Sequence, residues 1–229
     1  MHGAVGRIGA FDSGVVSDAM ESLGHFGAIN GIGPVWPCGR IAGSVVTVRL
    51  RRLAAGEVPP PGPHLGARAI ESARPGDIVV VAHEARADSA GWGGLLSAAA
   101  AAAGVGGVIV DGACRDVDEA EAAAFPVYAR SVTPVTARGR TVEADSGAPV
   151  QIAGVTVCPG DVVVADGSGV VVVPRDLVES VVARAEQLSD RESRLLEAIR
   201  EGVAPTKVMD SSYDAMLAST DDDLGRRDR

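Results

Sequence analysis

Residues 91–127 read "GWGGLLSAAAAAAGVGGVIVDGACRDVDEAEAAAFPV", and the order of small, apolar and charged residues in this stretch decides the fold class. "GGLLSAAAAAAG" is built from residues that cost a helix little, and its small side chains let a neighbour pack close. "VGGVIVDG" follows as a short β-branched run between glycines, the signature of a buried strand. "DVDEAEAAA" reads as a second short helix and "FPVYARS" as the next extended segment. Helix, strand, helix and strand in quick succession argue for βαβ units and a sheet that is at least partly parallel. The glycines at 104, 106 and 107 close a helix and open a strand. A dinucleotide fingerprint needs the opposite order, so that chemistry is excluded.

Working outward, "SGVVSDAMESLG" places Val16, Met20 and Leu23 on one helical face, with Ser13 as N-cap and Gly24 as its stop. "GSVVTVRL" alternates as a strand, "PHLGARAIESA" reads as a short helix, and "RPGDIVVVAHE" as a turn feeding a valine strand. After residue 140 the chain is strand-rich: "RTVEAD", "PVQIAGVTV", "DVVVAD" and "GVVVVP", the last two joined across the tight-turn sequence "DGSG". Residues 174–201 read as one long helix or two, opened by Pro174 and Asp176 and ended by Gly202. No linker separates two domains. The expectation is a single α/β domain over residues 1–202, followed by a charged, mobile tail over 203–229.

The core must be packed with valine, alanine and leucine, because only 3% of the 229 residues are aromatic. The net charge of −9 opposes non-specific nucleic-acid binding, which depends on a positive surface. The apolar tract 95–110 is broken by glycines and is no membrane span, and the N-terminus lacks a signal-peptide pattern. A soluble, cytoplasmic protein is expected. Cys38, Cys114 and Cys158 are odd in number, far apart and without a CxxC pair, so they read as small buried hydrophobes. The four histidines show no metal-ligand spacing, and Ser97 in "LLSAA" lacks a nucleophile-elbow context.

Two features carry chemistry. If Gly93-Gly94 opens a helix, the backbone N–H groups of Gly93, Gly94, Leu95 and Leu96 have no intrahelical partner. Such a terminus draws a carboxylate or phosphate. The plainer reading, that these glycines only let the helix pack against a strand, stands beside it. The second feature is Arg115-Asp116 at a strand end, where open α/β sheets bind ligands. The arginine fork suits a carboxylate or enolate oxygen. The aspartate is a hard oxygen ligand for Mg²⁺ or Mn²⁺. Asp118 and Glu121 read as surface charge in a helix's first turns.

The chain resembles the RraA-like family, which includes class II 4-hydroxy-4-methyl-2-oxoglutarate aldolases and regulators of ribonuclease E. "VSDAMESLG", "RIAGSVVTVRL", "RPGDIVVVA" and "GVTVCPGDVVVADGSGVVVVP" follow the family's order across residues 13–202. The most specific match is Gly94, twenty intervening residues, Arg115-Asp116, and Glu119 three positions on. The resemblance implies a layered α-β-β-α sandwich of the swivelling phosphohistidine-domain type. It further implies a homotrimer or a hexamer (dimer of trimers), and a metal-dependent lyase that releases pyruvate from 2-oxo acids or decarboxylates oxaloacetate. On this chain the amides of Gly93 to Leu96 hold the substrate carboxylate and Arg115 binds the keto oxygen. Asp116 ligates the Mg²⁺ or Mn²⁺ with Glu119 in support, and Asp111 stands behind them or serves structure alone. Glu192, in "DRESRLLEAIREG", aligns with an acid that reaches a neighbour's site, although Arg-Glu replaces the family's Lys-Glu. Glu119 accompanies the catalytic members, which favours an enzyme over the alternative, a regulator that binds a ribonuclease or helicase. Lys207 is the sole lysine, in a poor context for a Schiff base. The loops 51–66 and 81–92 are expected to meet the far end of the substrate.

Overall fold

The structure, a computed structural model, describes residues 2–209. The charged stretch 220–229, with the rest of the chain past 209, lies outside the described residues. Valine-rich segments form the sheet because branched side chains pack well on a pleated surface. Its strands are β1 (Ala28–Ile29), β2 (Gly33–Pro34), β3 (Ile41–Arg52), β4 (Ile78–Ala90), β5 (Gly107–Cys114), β6 (Val127–Val132), β7 (Thr141–Ser146), β10 (Val162–Asp166) and β11 (Gly169–Val173), while β8 (Val150–Ile152) and β9 (Val155–Val157) make a separate hairpin. The helices are α1 (His2–Ile8), α2 (Ser13–Ser22), α3 (Ala67–Ser72), α4 (Gly94–Ala102), α5 (Val117–Ala122), α6 (Val178–Arg200) and α7 (Pro205–Val208).

The sheet is mixed, in the order β1-β11-β10-β3-β4-β5-β6-β2, with β7 also on β3. Strand β3 joins two arms. Its residues Ile41 to Ser44 pair antiparallel with β10, and Val45 to Arg49 pair parallel with β4. In the second arm β4, β5 and β6 run parallel, each connected through a helix, as the alternation in 91–127 predicts.

Three apolar clusters hold the fold. Trp92, Leu96, Ala100, Ala120 and Phe125 pack from the α3–α4–α5 side onto Val79, Val81, Val108 and Val110. Ile78, Val80, Ile109 and Tyr128 of one arm share a second cluster with Val163, Ala165, Val170 and Val172 of the other. Ile8, Val16, Met20, Val181, Val182 and Leu188 cover the outer face of β10 and β11. Each fully buried valine or isoleucine contributes roughly 1.5–3 kcal/mol over an exposed one. The result is a single mixed α/β domain, and among the described residues no helix is long and apolar enough to cross a membrane.

Several boundaries differ from the sequence expectation. Asp12, not Ser13, caps α2: its carboxylate accepts from Val15 N at 2.9 Å. Ser13 instead spends its amide and hydroxyl on Asp166, both at 2.7 Å, tying α2 to the β10–β11 turn. Helix α3 begins only at Ala67, because Gly66 turns the chain at φ +75°. "PVQIAGVTV" is a hairpin, since Ala153 and Gly154 both take positive φ, as a tight two-residue turn requires. Pro174 and Asp176 precede α6, which is one helix of 23 residues. Residues past Gly202 continue into α7, where Val208 is buried.

Candidate active site

The site forms at the carboxyl ends of β4 and β5. Their pairing runs on past the strands: Gly91 N donates to Ala113 O at 2.8 Å and Arg115 N to Trp92 O at 3.0 Å. That ladder brings the chain entering α4 alongside the chain entering α5. Trp92 anchors it. The indole is buried, stacks on Phe125 with ring centres 6.3 Å apart, and donates from Nε1 to Ser97 Oγ at 3.0 Å. Ser97 Oγ in turn donates to Gly93 O at 3.3 Å. Ser97 is therefore a brace for the Trp92–Gly93 corner, consistent with the absence of a nucleophile motif around it.

Asp116 sits at φ +59°, ψ +48°, a left-handed conformation that aspartate tolerates better than most side chains. That twist sends its carboxylate away from α5 and toward the start of α4, where Oδ2 accepts from Gly94 N at 2.9 Å. Arg115 Nε lies 3.1 Å from the same oxygen. One carboxylate oxygen thus meets both the positive end of a helix dipole and a guanidinium. Both side chains are part-exposed, Arg115 39% and Asp116 31%, so the pair adds only about 0–1 kcal/mol to folding. Its significance is chemical.

The glycines have a steric reason to be there. A Cβ on Gly93 falls 2.8 Å from Asp116 Oδ2, and one on Gly94 falls 3.0 Å from Asp116 Cβ and 3.1 Å from Glu119 Cβ. The close approach they permit is first of all that of the chain's own Arg115-Asp116 corner and α5. The Gly94 amide, expected to be open to a ligand, carries Asp116 instead.

A cavity of about 200 Å³ opens over this corner. Gly93, Leu95, Leu96, Arg115 and Asp116 form one wall, and His64, Thr136 and Arg138 contribute to the other. Glu119 is exposed on α5 next to Gly94. Beneath Gly91, His83 is fully buried. Its Nε2 donates to Ser89 O at 2.8 Å, and burial lowers its pKa below the ordinary value, so it stays neutral in the floor. Burial likewise pushes the Cys114 thiol, next to Arg115, up to about 11, which keeps it protonated and unreactive.

The other two expected residues lie elsewhere. Asp111 has the parity of Ile109 on β5, whose side chain enters the cluster between the arms. Its carboxylate is ion-paired with Arg130, which also donates to Asn30 O. Asp111 therefore serves structure on the far face. Glu192 is exposed on α6 in the opposite helical layer. There its charge, with that of Glu21 and after burial as the larger cause, raises the pKa of Asp18. Within one chain it does not reach Asp116.

His64, Thr136 and Arg138 escaped the sequence reading as individual residues. His64 and Ala90 to Trp92 fall in the stretches 51–66 and 81–92 expected to meet the substrate, although residues 81–90 belong to strand β4 and not to a loop, whereas the loop 133–140 carried no recognisable signal.

A family model described as "RraA-like: Aldolase/RraA" matches residues 14–172. The solved structure of an uncharacterised protein from Pseudomonas syringae pv. tomato superposes with TM-score 0.81 at 30% identity, covering 91% of this chain and 97% of that one. Streptomyces coelicolor RraAS2, described as an unusual member of the RNase ES inhibitor RraA protein family, superposes with TM-score 0.75 at 23% identity, covering 83% and 93% respectively. At that identity it supports the fold alone. A curated relative, an uncharacterised protein of Methanocaldococcus jannaschii, is 42% identical over 57 residues, a match that covers 25% of this chain and 27% of that protein's length.

Proposed function

The chain belongs to the RraA-like family, and on that premise we propose that it is a divalent-metal-dependent lyase. It cleaves 4-hydroxy-2-oxo acids of the 4-hydroxy-4-methyl-2-oxoglutarate type to pyruvate, or decarboxylates oxaloacetate. The observation that carries this reading is the convergence of Arg115, Asp116 and the amino end of α4 on one cavity, with Glu119 beside them.

The donor set fits Mg²⁺ or Mn²⁺. Among the described residues no three His, Cys, Asp or Glu side chains gather into a closed metal site. Asp116 lines an open cavity and Glu119 is exposed beside Gly94, and a hard cation that dehydrates reluctantly uses one or two carboxylates and keeps its waters. Asp116 engages Arg115 and Gly94 through Oδ2, and a carboxylate has lone pairs to spare. When bound, the cation supplies Lewis acidity at the 2-oxo oxygen.

The chain's own residues do the rest. Because the Gly94 amide carries Asp116, the substrate carboxylate falls to the amides of Leu95 and Leu96 at the positive end of α4. Arg115 faces the 2-oxo oxygen, where negative charge develops. In the aldol cleavage the 4-hydroxyl loses its proton, the C3–C4 bond breaks, and its electron pair passes into the C2 carbonyl as an enolate. C4 leaves as the carbonyl of the second product, and C3 takes a proton to give pyruvate. In oxaloacetate the bond to the C4 carboxylate breaks instead, CO₂ leaves, and the same enolate remains. A Schiff base has no amine to form on, since Lys207 sits on α7, away from the cavity lining.

The same proposal includes kinship with the swivelling phosphohistidine domain, supported by the apolar cluster between the two arms. It also includes a homotrimer or dimer of trimers in which Glu192 serves a neighbour's site. The exposed apolar residues Leu196 and Ile199 on the last turns of α6, with Val203 just past its end, support that assembly.

The test is pyruvate release, coupled to lactate dehydrogenase, from oxaloacetate and 4-hydroxy-4-methyl-2-oxoglutarate. Turnover that EDTA abolishes and excess Mg²⁺ or Mn²⁺ restores is the expected result. Absence of turnover with either substrate and either metal would overturn the proposal in favour of a regulator.

A further inference from the structure

We propose that the active-site cavity continues into a second, proline-walled chamber that receives a substituent of the substrate, so that the preferred 2-oxo acid carries on C4 a group larger than methyl. The inference rests on the reading above for the placement of the 2-oxo end at Arg115.

A chamber of about 470 Å³ adjoins the cavity of about 200 Å³, and His64, Leu65, Ala137 and Arg138 line both. Most of the room therefore lies beyond the reacting end. The chamber is walled by Pro59, Pro60, Pro61 and Pro63, with Leu65 and Val142. Prolines hold their φ fixed, so such a wall is largely set before a ligand arrives, and little ordering is lost on binding.

The charges in the chamber are accounted for. Glu143, whose side chain is 8% exposed, pairs with Arg68 at 3.3 Å and accepts from Gly66 N at 2.8 Å. Arg138 stands at the junction, and among the described residues no carboxylate pairs with it. An anionic group of the substrate stops there. What passes beyond meets prolines, Leu65 and Val142, with Thr141 and the Arg68–Glu143 ion pair to one side, and is uncharged.

Two measurements test this. The first is calorimetric binding of 2-oxobutanoate, 2-oxohexanoate and 2-oxooctanoate to the full chain with Mg²⁺. Burying added methylenes lowers Kd by about tenfold or more from the four- to the eight-carbon acid. Gly62→Trp fills the chamber, and a Cβ there meets only Arg68 Nη2, at 3.7 Å. The variant is expected to reduce that gain to about threefold or less. The second is kcat/KM for pyruvate formation from 4-hydroxy-2-oxo acids with a 4-butyl or 4-methyl group. A butyl-to-methyl ratio of about ten in the wild type, collapsing in Gly62→Trp, supports the chamber. A Kd independent of chain length, or a ratio at or below one, overturns it even where pyruvate is made. Chain-length-dependent binding without any pyruvate keeps the chamber and overturns the lyase. Failure to bind any 2-oxo acid overturns both.

Discussion

Asp116→Asn lowers kcat/KM for pyruvate formation by about 10³-fold while the protein unfolds within about 1 kcal/mol of the wild type. The rate loss follows from removing the charge that anchors the cation, whose stabilisation of the enolate amounts to several kcal/mol, at 1.36 kcal/mol per factor of ten. The near-constant stability follows from the left-handed backbone at φ +59°, which asparagine tolerates, and from its Oδ1, which still accepts from Gly94 N. Asp116→Ala loses as much activity, and it also loses the cap on α4 at a cost of about 1 kcal/mol. Steady-state kinetics beside urea unfolding separates charge from cap. An Asp116→Asn enzyme with wild-type kcat/KM would remove Asp116 from the chemistry.

Gly94→Val is the second large effect. Its Cβ is driven against Asp116 Cβ and Glu119 Cβ, at 3.0 and 3.1 Å, and neither neighbour is the free end of a flexible side chain. Moving α5 away from α4 costs about 1–3 kcal/mol in stability, as overpacking does. It also displaces Arg115-Asp116 from the α4 terminus, and a shift near 1 Å costs about 10²-fold in rate. Activity therefore falls further than stability. A folded Gly94→Val protein with full turnover would show that the α4–α5 contact does not set the site.

The sheet was legible where the chain writes local rules. The alternation through 91–127 marks the parallel strands β5 and β6 and the helices before them, and "DGSG" marks the β10–β11 turn. The hairpin in 149–157 was missed because Ala153 adopts positive φ, and nothing about alanine signals that. Helix α1 was missed as well. Its two glycines weaken any periodic pattern, and it holds through Ala4 and Ile8 buried against α6, a partner far along the chain. Arg115 and Asp116 were legible as neighbours at a strand end, where they line one cavity, while Glu119 was singled out only by the family resemblance. For Asp111 the sequence left a supporting and a structural role open, and strand alternation turns it to the opposite face, onto Arg130. His64, Thr136 and Arg138 come to the cavity from loops that converge only in three dimensions. That the Gly94 amide is held by Asp116 depends on one backbone twist that composition does not encode.

The central claim, that Asp116 anchors a divalent cation beside Arg115, is tested most directly by Mn²⁺ titration followed by electron paramagnetic resonance, with oxalate standing in for the enolate. The wild type should bind Mn²⁺, tighten on adding oxalate, and lose about 10²-fold in affinity in Asp116→Asn, at least the loss seen when a metal site's supporting shell is disturbed. Equal Mn²⁺ affinity in wild type and Asp116→Asn, with oxalate changing neither, would contradict it.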